Sequence, residues 1–247
     1  MIKKYFKLGL RNLAKNRLSS VINILGLALA VGCCLVIFKF FDWSMHMDSF
    51  HSKLNKLYVV ERISSQNGDQ KYWGNSPSPM GPMLKNDFPQ MQNVARVSYS
   101  GVIIKQGDNV FRESVSFVDD AFYKMFDFPT KWGNKQNFTD PDGIVLTYDL
   151  SKKLFGKQNP TGKIKSIRFS NNGQETISNF TVKGVFDMQP MESSFYFSGL
   201  VPYSKMISLG IDKPGDWSKS ADIAFLEACC ETSLLPVNNQ VKKYLSL

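Results

Sequence analysis

From Ser19 to Phe41 the chain reads SSVINILGLALAVGCCLVIFKFF, and between Val21 and Phe38 only Asn23 interrupts the apolar run. At a rise of 1.5 Å per residue, about 20 such residues cross a hydrocarbon core about 30 Å thick. A helix that is apolar on every side finds no solvent-facing surface in a soluble domain. The run therefore predicts a transmembrane helix over residues 19–41, and the rest of the chain must be arranged around it.

The charge distribution sets its direction. The formal net charge is +9, and Lys3, Lys4, Lys7, Arg11, Lys15 and Arg17 supply six of those charges before Ser19 without a single acid. Positive residues beside a span stay on the cytoplasmic side and meet anionic lipid there. The N-terminus is expected inside and everything after Phe41 outside. Little basic excess is left for the exterior part, which lacks the positive stripe that nucleic acid requires, so nucleic acid is excluded as a partner and membrane lipid is expected.

A basic leader before an apolar run is also the plan of a secretory signal, and Ala30-Val31-Gly32-Cys33 loosely resembles a lipoprotein cleavage box. Two features oppose cleavage. The leader is long, and after Cys33 the chain stays apolar through Leu35, Val36, Ile37 and Phe38. Within the leader, residues 1–18, Ile2, Phe6, Leu10 and Leu13 recur at steps of four and three, the pattern of an amphipathic helix in the inner interface. The run thus reads as an uncleaved anchor.

Residues 42–247 carry mixed helix and strand signals. Leu57 to Ile63 is rich in β-formers, and the polar stretch Ser64 to Gln70 reads as a turn or loop. Prolines at 77, 79 and 89 bracket a short helix over MGPMLKNDF. Val94 to Lys105 and Val110 to Val118 predict a hairpin about Gln106-Gly107-Asp108-Asn109. Asp119 to Phe126 predicts a short helix with its acids at the positive end, and Thr130 to Asp142 is polar.

Ile144 to Leu146 reads as a buried strand, followed by a helix that Thr147 caps and Gly156 ends, with Leu150 and Leu154 on one side. Ile164 to Ser170 and Glu175 to Phe186 predict a second hairpin, whose return strand buries Phe180, Val182, Gly184 and Phe186 by alternation. A strand near Phe195 to Val201, a short helix from Pro202-Tyr203 to Leu209, a strand over Ala224 to Ala228 and an amphipathic helix from Pro236 complete the pattern. The expected fold class is α+β, a transmembrane helix followed by a two-lobed domain with an inner lobe at roughly residues 130–188.

Chemistry is sparse. GxSxG, HExxH and GxxxxGK[ST] motifs are absent from the sequence, and His46 and His51 are its only histidines. Asp42, His46, Asp48 and His51 could be assembled into a metal site, but their spacing is not that of metal-binding helices, and a solvated helix end is preferred. Asp119-Asp120 could serve acid/base catalysis, yet adjacent acids at a helix start read better as a cap. Cys33-Cys34 and Cys229-Cys230 lack zinc spacing and read as small apolar residues. Asn137-Phe138-Thr139 and Asn179-Phe180-Thr181 match a glycosylation pattern too short to weigh. No catalytic, cofactor-binding or metal residue is assigned, and no enzyme is expected.

Several segments in order carry a resemblance: LGLRNLAKNRLSSVINILGLALAVGCCLVIF, DSFHSKLNKLYVVERI, PSPMGPMLKNDFPQMQNVAR, FVDDAFYKMFDFP, DPDGIVLTYDLSKKLFGKQNPTGK and FTVKGVFDM. Together, from about Lys4 to Met206, they resemble a MacB/FtsX-type ABC-transporter permease of the kind abundant in Bacteroidetes. The resemblance implies a first transmembrane helix and a MacB-like periplasmic core domain in the bacterial inner membrane. It implies as partners a cytoplasmic ABC ATPase subunit, which would bind the ATP, and a second permease chain. In such systems motion passes through the membrane to the periplasmic domains and serves export or envelope signalling.

The family's further transmembrane helices do not follow in this sequence. The resemblance therefore implies a truncated gene product, a fragment or a split permease. A membrane-tethered periplasmic binding or chaperone module, independent of an ATPase, is the alternative.

Overall fold

In the computed structural model the described residues are 4–5, 11, 15–66, 69–133, 140–171, 174–187, 193–218 and 220–229. The chain divides into two units, residues 1–47 and residues 48–247.

The first unit is dominated by α1, Arg17–Met45, a 29-residue helix with no buried residue. It is long and apolar enough to cross a membrane. At 1.5 Å per residue it measures about 44 Å, so it exceeds the hydrocarbon core and takes in residues on both sides of the 19–41 run. Near its C-terminal end Asp42 lies 3.4 Å from Lys39 Nζ, and its carbonyl lies 2.7 Å from His46 Nδ1.

The second unit mixes helix and sheet, as the α+β pattern predicts. In chain order its strands and helices begin with β1 (Leu57–Val59), β2 (Arg62–Gln66), β3 (Asp69–Trp73), β4 (Ser76–Pro77) and α2 (Met80–Asp87). There follow β5 (Asn93–Gln106), β6 (Asn109–Val118), α3 (Phe122–Met125), β7 (Thr130–Gly133), β8 (Gly143–Thr147) and α4 (Tyr148–Phe155). The series continues with β9 (Ile164–Asn171), β10 (Gln174–Phe186), β11 (Gly199–Pro202), α5 (Tyr203–Ser208) and β12 (Ser220–Glu227).

The main sheet runs β1-β12-β5-β6-β11-β8-β10-β7, with β4 also on β12. Strand β9 pairs along its whole length with β10 and, through Phe169 and Arg168, with Val102 and Ile103 of β5. It thereby closes β5, β6, β11, β8, β10 and β9 into a ring of six strands. Alternate side chains, among them Ile104, Phe117, Leu146, Phe169 and Phe180, share one apolar core, and Leu150 and Leu154 of α4 join it. Helix α4 is placed by its own sequence. The Thr147 hydroxyl accepts from the Leu150 N–H at 3.4 Å, and Gly156 ends the helix at φ 74°, a conformation glycine adopts without strain.

Strands β5, β6, β8 and β11 are covered on their other face too. Val97, Val118, Val145 and Leu200 pack there with Phe122, Phe126, Phe128, Phe186, Phe195 and Phe197. Burial on both faces explains why β8 is apolar at consecutive positions, with all five residues buried. A third, smaller core lies where α2 meets β5 and β12, through Leu84, Phe88, Val94 and Leu226.

Three local expectations change. The polar stretch after Ile63 belongs to a hairpin: β2 and β3 pair in register from Arg62↔Trp73 to Gln66↔Asp69, as a ribbon separate from the main sheet. The polar segment after Phe128 begins with β7, an edge strand on β10. Along β10 the strict alternation breaks, because a bulge skips Lys183 in the register with β8, and Val185 is buried beside Gly184 and Phe186. Gly133 of β7 faces that bulge at φ 79°, and a Cβ there would stand 2.2 Å from the Lys183 carbonyl. The helix expected from Pro236 lies outside the described residues.

Candidate functional site

The chain joins the second unit through residues 48–57, which are tied to distant parts of it by polar contacts. Asp48 takes φ 59°, a value aspartate tolerates, and its Oδ1 accepts from the Ser194 N–H at 2.8 Å. Both the N–H and the hydroxyl of Ser52 donate to Asp127 Oδ2, at 2.7 and 2.6 Å. Lys53 Nζ donates to the Lys124 carbonyl at 2.8 Å and pairs with Glu227 Oε1 at 2.8 Å. The other oxygen of that buried carboxylate accepts from Asn93 Nδ2 at 2.6 Å. The 3₁₀ turn Leu54–Lys56 then delivers the chain to β1 on the edge of β12.

His51 sits in the middle of this knot, 3% exposed. Its Nδ1 accepts from the Asp127 N–H at 3.0 Å, which leaves the ring proton on Nε2. Nε2 meets no hydrogen-bond partner among the described residues. Around the ring stand Phe50, Phe126, Phe128 and Phe195, with centroids 4.0 to 6.1 Å away. Burial lowers the imidazole pKa against the opposing pull of Asp48 and Asp127. At neutral pH the ring is an uncharged wedge among phenylalanines.

A cleft of about 370 Å³ opens on another side of the same unit, between α2, the start of β5, the end of β6 and the start of α5. Its wall is organised by Arg96. The guanidinium grips Asp119 in a fork, Nε to Oδ2 and Nη2 to Oδ1 both at 2.9 Å, and Nη1 donates to the Ser78 carbonyl at 3.0 Å. Its central carbon lies 3.6 Å from the Tyr203 ring centroid. A Cβ on Gly81 would stand 2.6 Å from Arg96 Cγ, so glycine lets α2 approach the arginine stem. Burial pulls the Arg96 pKa down, but the hydrogen bonds it donates to Asp119 and the charge of that carboxylate raise it. This clamp fixes the cleft wall, and it presents no free nucleophile.

The four residues considered for metal binding are engaged elsewhere. Asp42 and His46 are spent on the end of α1, and Asp48 and His51 on Ser194 and Asp127. Among the described residues no group of three or more histidine, cysteine, aspartate or glutamate side chains is placed to hold a metal. Asp119 does not cap a helix. Helix α3 starts from Ala121 without a side-chain cap, and the Asp119 carboxylate serves Arg96 instead.

The residues that sequence reading missed are Arg96, Asp222 and Glu227. Each is a charge flanked on both sides by apolar residues in a strand, and that was the available signal, since a buried charge requires a partner.

The model of the MacB-like periplasmic core domain matches residues 20–224, taking in the apolar helix together with the sheet unit. The chain belongs to this family. Among solved structures, a domain ascribed to a permease protein of Porphyromonas gingivalis is similar, with a TM-score of 0.60 at 19% identity over 78% of this chain and 83% of that one. The periplasmic region of MacB from Actinobacillus actinomycetemcomitans is similar too, with a TM-score of 0.53 at 18% identity over 78% of this chain and 85% of that one. Identities this low speak for the fold alone. No curated protein matches the sequence.

In a MacB-like periplasmic core domain, the knot at residues 48–57 is where the chain passes from the apolar helix into the domain.

Proposed function

We propose that this chain is a non-catalytic permease component of an ATP-driven ABC system, and that its core domain takes up motion from the membrane helix through residues 48–57. The observation that carries this reading is the span of the family match, which covers helix and domain as one unit of descent. The polar bolts of the knot support it: Ser52, His51 and Lys53 tie the segment to Asp127, Lys124 and Glu227. A flexible linker would absorb a displacement, whereas a segment held at several points passes it on. ATP would be bound by a separate cytoplasmic ATPase subunit and not by this chain, and a second permease chain would complete the membrane part.

The test is copurification. The full chain, expressed from its native locus with an affinity tag, is expected to bring down an ABC ATPase subunit. Recovery without an ATPase would sink the proposal and leave a tethered binding module, the role that the exposed Ile63, Tyr72 and Trp73 on the β2–β3 ribbon would suit. The direction of insertion rests on the positive-inside argument. Reporter fusions after Lys15 are expected to read cytoplasmic and after Ser170 periplasmic, and the reverse would overturn it.

A further inference from the structure

Behind the cleft wall, side chains from four segments meet on buried oxygen atoms. Tyr203 opens α5, Asp212 lies in the turn after α5, Asp222 lies on β12, and Ser78 follows β4; all four are buried. The Tyr203 hydroxyl is hydrogen-bonded to Asp222 Oδ2 and stands 3.1 Å from Asp212 Oδ2. Ser78 Oγ donates to Asp212 Oδ1 at 3.2 Å, Ser98 bonds to the Asp222 carboxyl, and Ser76 Oγ lies 3.4 Å from the Asp222 carbonyl.

The proton count does not close if both acids are ionised. A phenol has one proton and can donate it to one carboxylate; an ionised carboxylate only accepts. The contact with the second carboxylate would then set acceptor against acceptor, away from water, where an unmet polar group is costly. A cation could repair the deficit, but among the described residues none does. Arg96 has committed its fork to Asp119 and an Nη1 hydrogen to Ser78, it faces the Tyr203 ring, and none of these bonds reaches Asp212 or Asp222. Among the described residues no lysine, arginine or histidine makes an ion pair with Asp212 or Asp222. Glu227, equally buried on the same strand, shows the contrast: Lys53 and Asn93 supply its donors.

We infer that Asp212 and Asp222 hold one proton between them in the folded protein, forming a buried proton-binding site bridged by the Tyr203 hydroxyl. With that proton in place, one carboxyl donates to the phenol oxygen and the phenol donates to the other, so every contact has a donor. Burial raises the Asp222 pKa; bonds from Tyr203 and Ser98 and the charge of Arg96 oppose this, and the charge of Asp212 adds to it. The sign follows from linkage. A carboxyl whose folded pKa is raised contributes stability below its unfolded pKa, near 4, and loses it as pH rises through the folded value. Alkaline conditions should therefore loosen the junction of β12 with α5 and β4. The inference is independent of the transport reading.

Infrared spectroscopy of the full chain in detergent micelles at neutral pH tests the site directly. The wild-type protein is expected to show a protonated carboxyl C=O band that shifts on deuteration. Asp222→Asn and Asp212→Asn each supply an amide donor in place of the shared proton, so each should lose the band, while Glu227→Gln should keep it. Absence of the band from the folded wild type, or its survival in either aspartate variant, overturns the proposal. As a second reading, the wild-type melting temperature should fall by roughly 3–6 °C between about pH 5 and pH 9, and Asp222→Asn should flatten that slope. An unchanged slope in a folded Asp222→Asn protein also overturns it.

Discussion

The six-stranded ring and the wall that α2 and β12 build beside it share one strand, β5, yet they are held by different forces. The ring encloses side chains such as Phe117, Phe169 and Phe180 that are almost wholly out of water. The wall has a smaller apolar core and is stitched by Arg96 to Asp119, Lys53 to Glu227 and the Tyr203 hydroxyl to two carboxyls. Apolar packing is undirected and tolerates no void, whereas a polar stitch is directional and fails when one partner goes. Damage to the ring should therefore scale with volume removed, and damage to the wall with donors left unmet.

The largest effect is expected from Phe117→Ala, which opens a cavity inside the ring and should cost about 3–5 kcal/mol of unfolding free energy in a denaturant titration. Arg96→Ala comes next, at about 2–3 kcal/mol, since it strands the half-buried Asp119 carboxylate. The comparison sharpens if Asp119 is then changed to Asn in the same chain: neutralising the stranded charge should recover part of that loss. No second substitution near Phe117 that keeps the cavity should do the same.

Thr147→Ala removes the α4 cap on the ring's side and should cost about 1 kcal/mol. The smallest effect runs with pH and belongs to His51. Its folded pKa is lowered by burial, so the unfolded chain takes the proton first as pH falls below about 6.5. The His51 contribution should be level above that pH and decline below it until the lowered folded value is passed. A His51→Leu chain whose acid limb matches the wild type would remove His51 from the account.

Much of the fold was legible wherever the signal was local. The cap at Thr147, the stop at Gly156 and the pairings of β5 with β6 and β9 with β10 depend on residues close in sequence. The closure of the ring was not legible. It depends on Phe169 meeting Val102 and on β8 meeting β11, pairings across 67 and 53 residues that leave no periodicity behind. The β2–β3 ribbon was missed because a strand exposed on both faces shows no alternation. The bulge at Lys183 hid the burial of Val185 in the same way. At the knot and the clamp, chain position was visible but partnership was not: Asp119 looked like a helix cap because its neighbour in sequence is a helix, while its partner in space is Arg96.

The length of β5 bears on the order in which the molecule can be made. Its second half finds β6 at once, across a two-residue turn, but its first half is covered by β12, more than a hundred residues later in synthesis. Until residues 220–227 arrive, the growing chain carries an unfilled strand edge from Asn93 to Ser98 and a helix α2 lacking half of its apolar seat. Such an edge invites pairing with another chain. Strand β12 is thus the closing stroke of the domain's assembly.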